Sequence, residues 1–140
     1  MNDEFSDELK SLVSTMSETV FGSDVCVELD SSAIPTEALW AHIAIDGDGR
    51  THVWVGPSRS LVARAAQRML LSESVSESDL EDATREFANI IAGNLKAVFA
   101  PNGAVGLPEL KTPPFVPALA RRSEVRLRID GEPLSVFIDV

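Results

Sequence analysis

Between Asp82 and Lys96 the chain reads DATREFANIIAGNLK, and its polar residues are of types that can do chemistry. Asp82 and Glu86 are carboxylates, able to grip a cation through charge-assisted hydrogen bonds. Asn89 and Asn94 are carboxamides, which donate and accept hydrogen bonds without titrating. At ~100° per residue, Asp82, Glu86, Asn89 and Gly93 fall within an arc of about 60° on a helix. Leu80, Ala83, Phe87, Ile90, Ile91 and Val98 lie on roughly the opposite side. The polar row is therefore expected to face outward while the apolar stripe packs inward. Asn94 falls inside the apolar stripe, so it is expected to be a buried amide bonded to nearby backbone, with a structural role. Gly93 costs the helix ~1 kcal/mol relative to alanine, and it leaves space for something to approach closely. Periodicity alone goes no further, because an acidic outward row is the common pattern of a solvated helix face.

The elements that must position this row follow from pattern and punctuation. DEFSDELKSLVSTMSETVFG places Phe5, Leu9, Leu12, Val13, Met16 and Val20 at helical spacing, which predicts an acidic helix over about 3–21 stopped by Gly22. SDVCVEL reads as a short strand. ALWAHIAIDGDGRTHVWVG reads as a hairpin turning at Asp46–Gly49, with Ile43 and Ile45 on one face and Trp40 and His42 on the other. A second helix fits SRSLVARAAQRMLL, with Ser58 as candidate cap and Leu61, Ala65 and Met69 on one stripe. The third helix, which carries the polar row, is expected from about Ser78 to Phe99. Serine caps and acidic first turns announce it, and PNGAVGLP ends it. LPELKTPPFVP is extended and too rich in proline for a helix. EVRLRIDGEPLSVFIDV is a second hairpin turning at Asp130–Gly131, with Val125, Leu127 and Ile129 pointing one way and Arg126 and Arg128 the other. The order of helix, strands, two helices and strands predicts one α+β domain over residues 1–140, an antiparallel-rich sheet packed by long helices.

Composition narrows the function classes. The chain has 140 residues, 44% apolar and 24% charged, which suits one domain with its own core. No uninterrupted apolar run approaches the roughly 18 residues of a membrane span. The acidic start, MNDEFSDELK, lacks the basic and apolar regions of a secretory signal. Cys26, the only cysteine, sits in VCVEL and cannot form an internal disulfide; it is expected to be a small buried hydrophobe, and a cytoplasmic location is expected with it. The net charge of −10, from 12 basic and 22 acidic residues, argues against a nucleic-acid binder. Acidic residues concentrate in the first thirty positions and between Glu73 and Glu86, whereas Arg121, Arg122, Arg126 and Arg128 cluster near the end. Such asymmetry either orients a partner or belongs to a solvated surface.

Other chemistry is poorly supported. His42 and His52 sit on strands beside Trp40 and Trp54, but a metal site would need further ligands converging there. The tryptophans suit an interface between copies. DGDGR lacks the spacing and terminal glutamate of a calcium loop, and PNGAVG is not followed by the Lys and Ser/Thr of a phosphate-binding loop. No Ser-His-Asp or Cys-His arrangement can be argued.

The spacing Asp82-x3-Glu86-x2-Asn89, followed by AGNLK and then VGLPELKTP, resembles the signature of the chemotaxis phosphatase family of CheC, CheX and FliY. The resemblance extends over roughly residues 5 to 140, and the single copy of the motif looks like CheX, since CheC-type chains carry two. It implies hydrolysis of the aspartyl phosphate of a CheY-like response regulator. By that similarity Glu86 pairs with a lysine of the regulator's active site, and Asn89 enters the site to hold the attacking water in line. Asp82, Gly93 and Asn94 complete the motif in supporting positions, Asp82 as helix support. The resemblance places Mg²⁺ in the regulator, gives this chain no metal or cofactor, and implies a homodimer with sheets joined across subunits. The alternative is a non-catalytic regulator-binding or dimerisation module on the same fold. Pro113 stands one residue beyond the family's usual proline position. The acidic N-terminal helix would oppose docking of an acidic regulator if it lay near the motif face.

Overall fold

Alternation of apolar and polar residues along the strands decides which side of the sheet the helices cover. The computed structural model describes residues 3–111 and 122–139. Its seven strands are β1 (Val27–Leu29), β2 (Trp40–Asp46), β3 (Arg50–Pro57), β4 (Ala104–Val105), β5 (Glu109–Lys111), β6 (Arg122–Ile129) and β7 (Glu132–Asp139). All pair antiparallel in the order β1-β6-β7-β3-β2-β4, with β5 also on β2. The two expected hairpins, β2–β3 and β6–β7, join where Val55 pairs with Val136 and Val53 with Ile138. Ile43, Ile45, Val53, Val55, Val125, Leu127, Ile129 and Val136 all point to one side and are buried.

Three helices cover that side: α1 (Asp3–Phe21), α2 (Arg59–Leu70) and α3 (Glu77–Phe99). Leu9, Val13 and Met16 of α1, Leu61 and Ala65 of α2, and Phe87, Ile91 and Leu95 of α3 enter the same core. Full burial of each large apolar side chain stabilises the fold by about 1.5–3 kcal/mol, which is the main force holding the helices to the sheet. The α+β architecture agrees with the sequence pattern. No helix is long and apolar enough to cross a membrane among the described residues.

α3 starts slightly before the expected position, because Ser76 supplies the cap. Its hydroxyl accepts from the Asp79 amide at 3.1 Å, and the Asp79 carboxylate accepts from the Ser76 amide at 2.8 Å. Glu77 and Asp79 also place negative charge in the first turn, where the helix dipole favours it. At the other end the chain leaves α3 through a loop locked to the β2–β3 turn. A Cβ on Gly103 would lie 2.2 Å from the Asp46 carbonyl oxygen, so only glycine lets the two loops close together.

Several expectations need correction. Ser58 occupies the position before α2, but its hydroxyl does not cap the helix. It is buried, and it accepts from the Thr36 amide at 3.0 Å instead. Met69 and Val98 are exposed, because α2 and α3 each run past the core at their last turns. Cys26 is exposed rather than buried. Val27 takes the inward position, so Cys26 and Glu28 point away from the core, where the thiol donates to the Glu28 carboxylate at 3.5 Å. The extended reading of the segment after α3 does hold through Lys111: Val105 pairs with Ile45 and Leu110 with Ala41, so β4 and β5 extend the sheet beyond β2. Pro113 and Arg121 lie outside the described residues.

Arg126 and Arg128 face outward as expected, yet they belong to local ion pairs. Arg126 meets Glu124 at 2.8 Å, and Arg128 meets Asp30 at 2.6 Å. The same outer face carries an aromatic row of Trp40, His42, His52, Trp54 and Phe137.

Candidate functional site

The rotation of α3 about its axis is fixed by what it buries. Leu80, Ala83, Phe87, Ala88, Ile91, Ala92 and Leu95 face inward. Thr84 joins them, its buried hydroxyl donating to the Leu80 carbonyl at 2.8 Å, which satisfies the polar group locally. With that face inside, Asp82, Glu86, Asn89 and Gly93 are all exposed on the opposite one.

Within the row the four residues differ. Asp82 accepts from the Arg85 guanidinium at 3.0 Å, an i,i+3 pair along the helix. Glu86 and Asn89, one turn apart, have no hydrogen-bond or ion-pair partner among the described residues. A charged acceptor and an amide are thus held by a packed helix with their bonding capacity facing solvent. Gly93 follows one turn beyond Asn89. A Cβ there would meet nothing within 4 Å, so no contact inside the chain requires glycine. The residue leaves the helix surface bare beside Asn89.

Asn94 is not the buried amide that its phase suggested. It is exposed, with its Nδ2 donating to the Ile90 carbonyl at 2.7 Å. Its angle does place it within the apolar stripe, but no element covers that part of the helix. An open trough between α1 and α3 runs past it, lined by Leu12, Met16, Ile90 and Val98 as well. The expected backbone bond is present; the burial is not.

The trough also fixes how α1 lies. Glu8, near the start of α1, lines it together with Asn94 and Val98, whereas Thr19 and Val20, near its end, line a second groove with Asp82 and Glu86. The two helices are therefore antiparallel. Of the α1 acids Asp3, Glu4, Asp7, Glu8 and Glu18, only Glu18 belongs to the end beside Glu86. The repulsion expected of an acidic N-terminal helix is mostly displaced to the far end of α3.

The remaining candidates have local explanations. His42 Nε2 and His52 Nδ1 lie 2.9 Å apart. Burial, then the neighbouring His52, push the His42 imidazole below its usual pKa. Among the described residues no three His, Cys, Asp or Glu side chains come together as a metal site would require. In DGDGR the Arg50 guanidinium pairs with Asp46 at 2.8 Å across the turn. Sequence reasoning missed the second groove, where the exposed Met69 and Leu70 stand across from Asp82 and Glu86. The signal available was the apolar run at the end of QRMLLS, which a helical stripe cannot bury entirely.

Comparison with known proteins bears on the family. Among solved structures the chain is similar to the chemotaxis protein CheX of Vibrio vulnificus, with a TM-score of 0.73 over 96% of this chain and 97% of that one at 14% identity. It is similar to a CheX–CheY–BeF3–Mg²⁺ complex of Borrelia burgdorferi, with a TM-score of 0.68 over 94% of each chain at 11% identity. A FliM–SpeE complex of H. pylori matches as well, with a TM-score of 0.70 over 97% of this chain and 83% of that one at 14% identity. At these identities the likeness shows a shared fold. No curated protein matches the chain significantly. The sequence profile of the family described as chemotaxis phosphatase CheX matches residues 39–123, a span that includes the whole of α3. With more than half of its length matched in this way, the chain belongs to the CheX family of chemotaxis phosphatases.

Proposed function

We propose that the chain hydrolyses the aspartyl phosphate of a CheY-like response regulator, with Glu86 and Asn89 as the residues that act on it. The observation that carries this reading is the pair itself: two polar side chains, exposed together one turn apart on a buried-faced helix, with no partner among the described residues. Family membership and the CheX–CheY complex of similar fold support the regulator as substrate.

The chemistry asks little of the enzyme. An acyl phosphate is already activated, so positioning and charge stabilisation supply most of the rate. Glu86 grips a lysine ammonium in the regulator's active site and so fixes the docking angle. Asn89 then reaches the phosphoryl group, its amide oxygen accepting from a water and its nitrogen free to donate. The water attacks phosphorus in line and the bond from phosphorus to the aspartyl oxygen breaks, which restores the regulator's aspartate carboxylate and releases inorganic phosphate carrying the water's oxygen and protons. Because the amide does not titrate, this positioning is constant across the physiological pH range. Mg²⁺ belongs to the regulator in this scheme, where it neutralises phosphoryl charge. Asp82 supports the helix through Arg85, and Gly93 keeps its surface low where the regulator would sit.

The test is loss of phosphate from phosphorylated regulators of the same genome, with and without this chain. Acceleration by the parent and none by Asn89→Ala is the expected result, and an Asn89→Ala variant as active as the parent would sink the mechanism. A non-catalytic docking module on the same fold predicts binding without acceleration. Pairing of two copies, which the family resemblance implies, is read in the same samples from their mass in solution.

A further inference from the structure

We infer that the groove beside Glu86 is a second contact for the response regulator, taking an apolar side chain flanked by a basic residue. The inference rests on the proposed function and deepens it, since it concerns how the same face chooses its partner.

The groove is formed where three helices converge: the end of α1, the end of α2 and the first half of α3. Val20, Met69, Leu70, Ala83 and Ile90 give it apolar walls. Met69 is 40% exposed and Leu70 51%, and the following Leu71 is 93% exposed. Three successive large apolar residues thus face water at one helix end, and two of them, Met69 and Leu70, line the same groove. Leu71 also holds φ at 53°, the left-handed position after a helix that favours glycine. Met69 and Leu70 gain nothing for the core in these positions, and their exposure is explained if a partner covers them.

Charge selects the occupant. The rim carries Asp79, Asp82 and Glu86 against a single base, Arg68. A second copy of this chain, with a net charge of −10, would bring like charge to that rim. A basic group beside an apolar side chain would be attracted by the carboxylates and desolvate the walls. Position adds to this. Glu86 lines the groove and also belongs to the exposed row with Asn89, so a partner that seats on Glu86 is already at the mouth of the groove.

The test uses the full chain with Met69→Ser and Leu70→Ser together, titrated against phosphorylated regulator, with a thermal melt to establish that the fold is kept. The concentration giving half-maximal acceleration should rise about 10-fold while the saturating rate is retained. Arg68→Glu, which makes the rim more acidic, should shift that concentration downward at low salt. An unchanged half-saturating concentration in the double variant overturns the inference. So does conversion of a dimer to a monomer in that variant, which would make the patch a contact between copies. Binding of regulator activated with beryllium fluoride and Mg²⁺ separates the two ideas. If the parent binds it without accelerating phosphate loss, and the double variant binds it at least 10-fold more weakly, the groove stands and the hydrolytic reading falls. A parent that neither binds nor accelerates any regulator overturns both.

Discussion

Asn89 and Asn94 occupy one helix, yet their amides are in opposite states. Asn94 donates to the Ile90 carbonyl at 2.7 Å, while Asn89 has no partner among the described residues. The difference predicts different losses. Asn89→Ala should remove phosphatase acceleration by on the order of 100-fold or more, since a positioned water is lost. Asn94→Ala should leave stability within about 0.5 kcal/mol, because an exposed side chain bonded to a carbonyl within its own helix adds little. Regulator dephosphorylation and thermal melts on both variants check the pair; a large destabilisation by Asn94→Ala would contradict the exposure seen here.

Glu86→Gln keeps the size of the side chain and removes its charge. The expected effect is a half-saturating regulator concentration about 10-fold higher, the scale of one charge-assisted bond. The parent's affinity should also fall with added salt more steeply than the variant's. Titrations at two ionic strengths measure both quantities, and equal salt slopes would remove Glu86 from the interface.

Gly93→Ala should separate stability from docking. With nothing within 4 Å of the added Cβ, alanine should stabilise α3 by ~1 kcal/mol. The same methyl group would stand between Asn89 and an approaching partner, so regulator affinity should drop. A variant that melts higher and works as well as the parent would show that the bare surface serves no docking role.

Ser76→Ala removes the reciprocal cap of α3 and should cost about 1 kcal/mol, or roughly 3 °C in melting temperature. The saturating dephosphorylation rate should stay near that of the parent, since the cap is remote from the exposed pair along the helix.

Acid should weaken the β1–β6 edge through Asp30. Bonds from Ser32, and the Arg128 guanidinium, hold its carboxyl at about 2 rather than 3.8. A depressed folded pKa means the contribution is complete above pH ~4 and is lost as pH falls through about 2. Urea midpoints measured across that window should fall less steeply for Asp30→Asn than for the parent.

The sequence carried more of the fold than of the site. Strand alternation in WAHIAID and VRLRI was enough to assign inward and outward faces, because a period of two leaves no ambiguity once one side is buried. Likewise the phase of α3 separated Glu86 and Asn89 from Phe87 and Ile91. What periodicity omits is the neighbour. Asn94 and Val98 have inward phases but lie where α1 leaves the flank of α3 open, and no pattern within α3 records the path of α1. Ser58 fits the composition of a cap, yet its oxygen bonds to Thr36, far back in the chain. The groove at Met69 and Leu70 depends on three helix ends meeting, a long-range property of the chain.

The closure at Gly103 has a consequence for how such chains can vary. With the α3–β4 loop pressed against the Asp46 carbonyl, a change of length in that loop or in the β2–β3 turn has to preserve this close approach. Insertions there should be tolerated only where they leave it intact. A library that randomises the length of one loop should yield folded members only where Gly103 still packs on the Asp46 carbonyl, which makes this junction a poor place for a fused domain and a sensitive reporter of the register of α3 on the sheet.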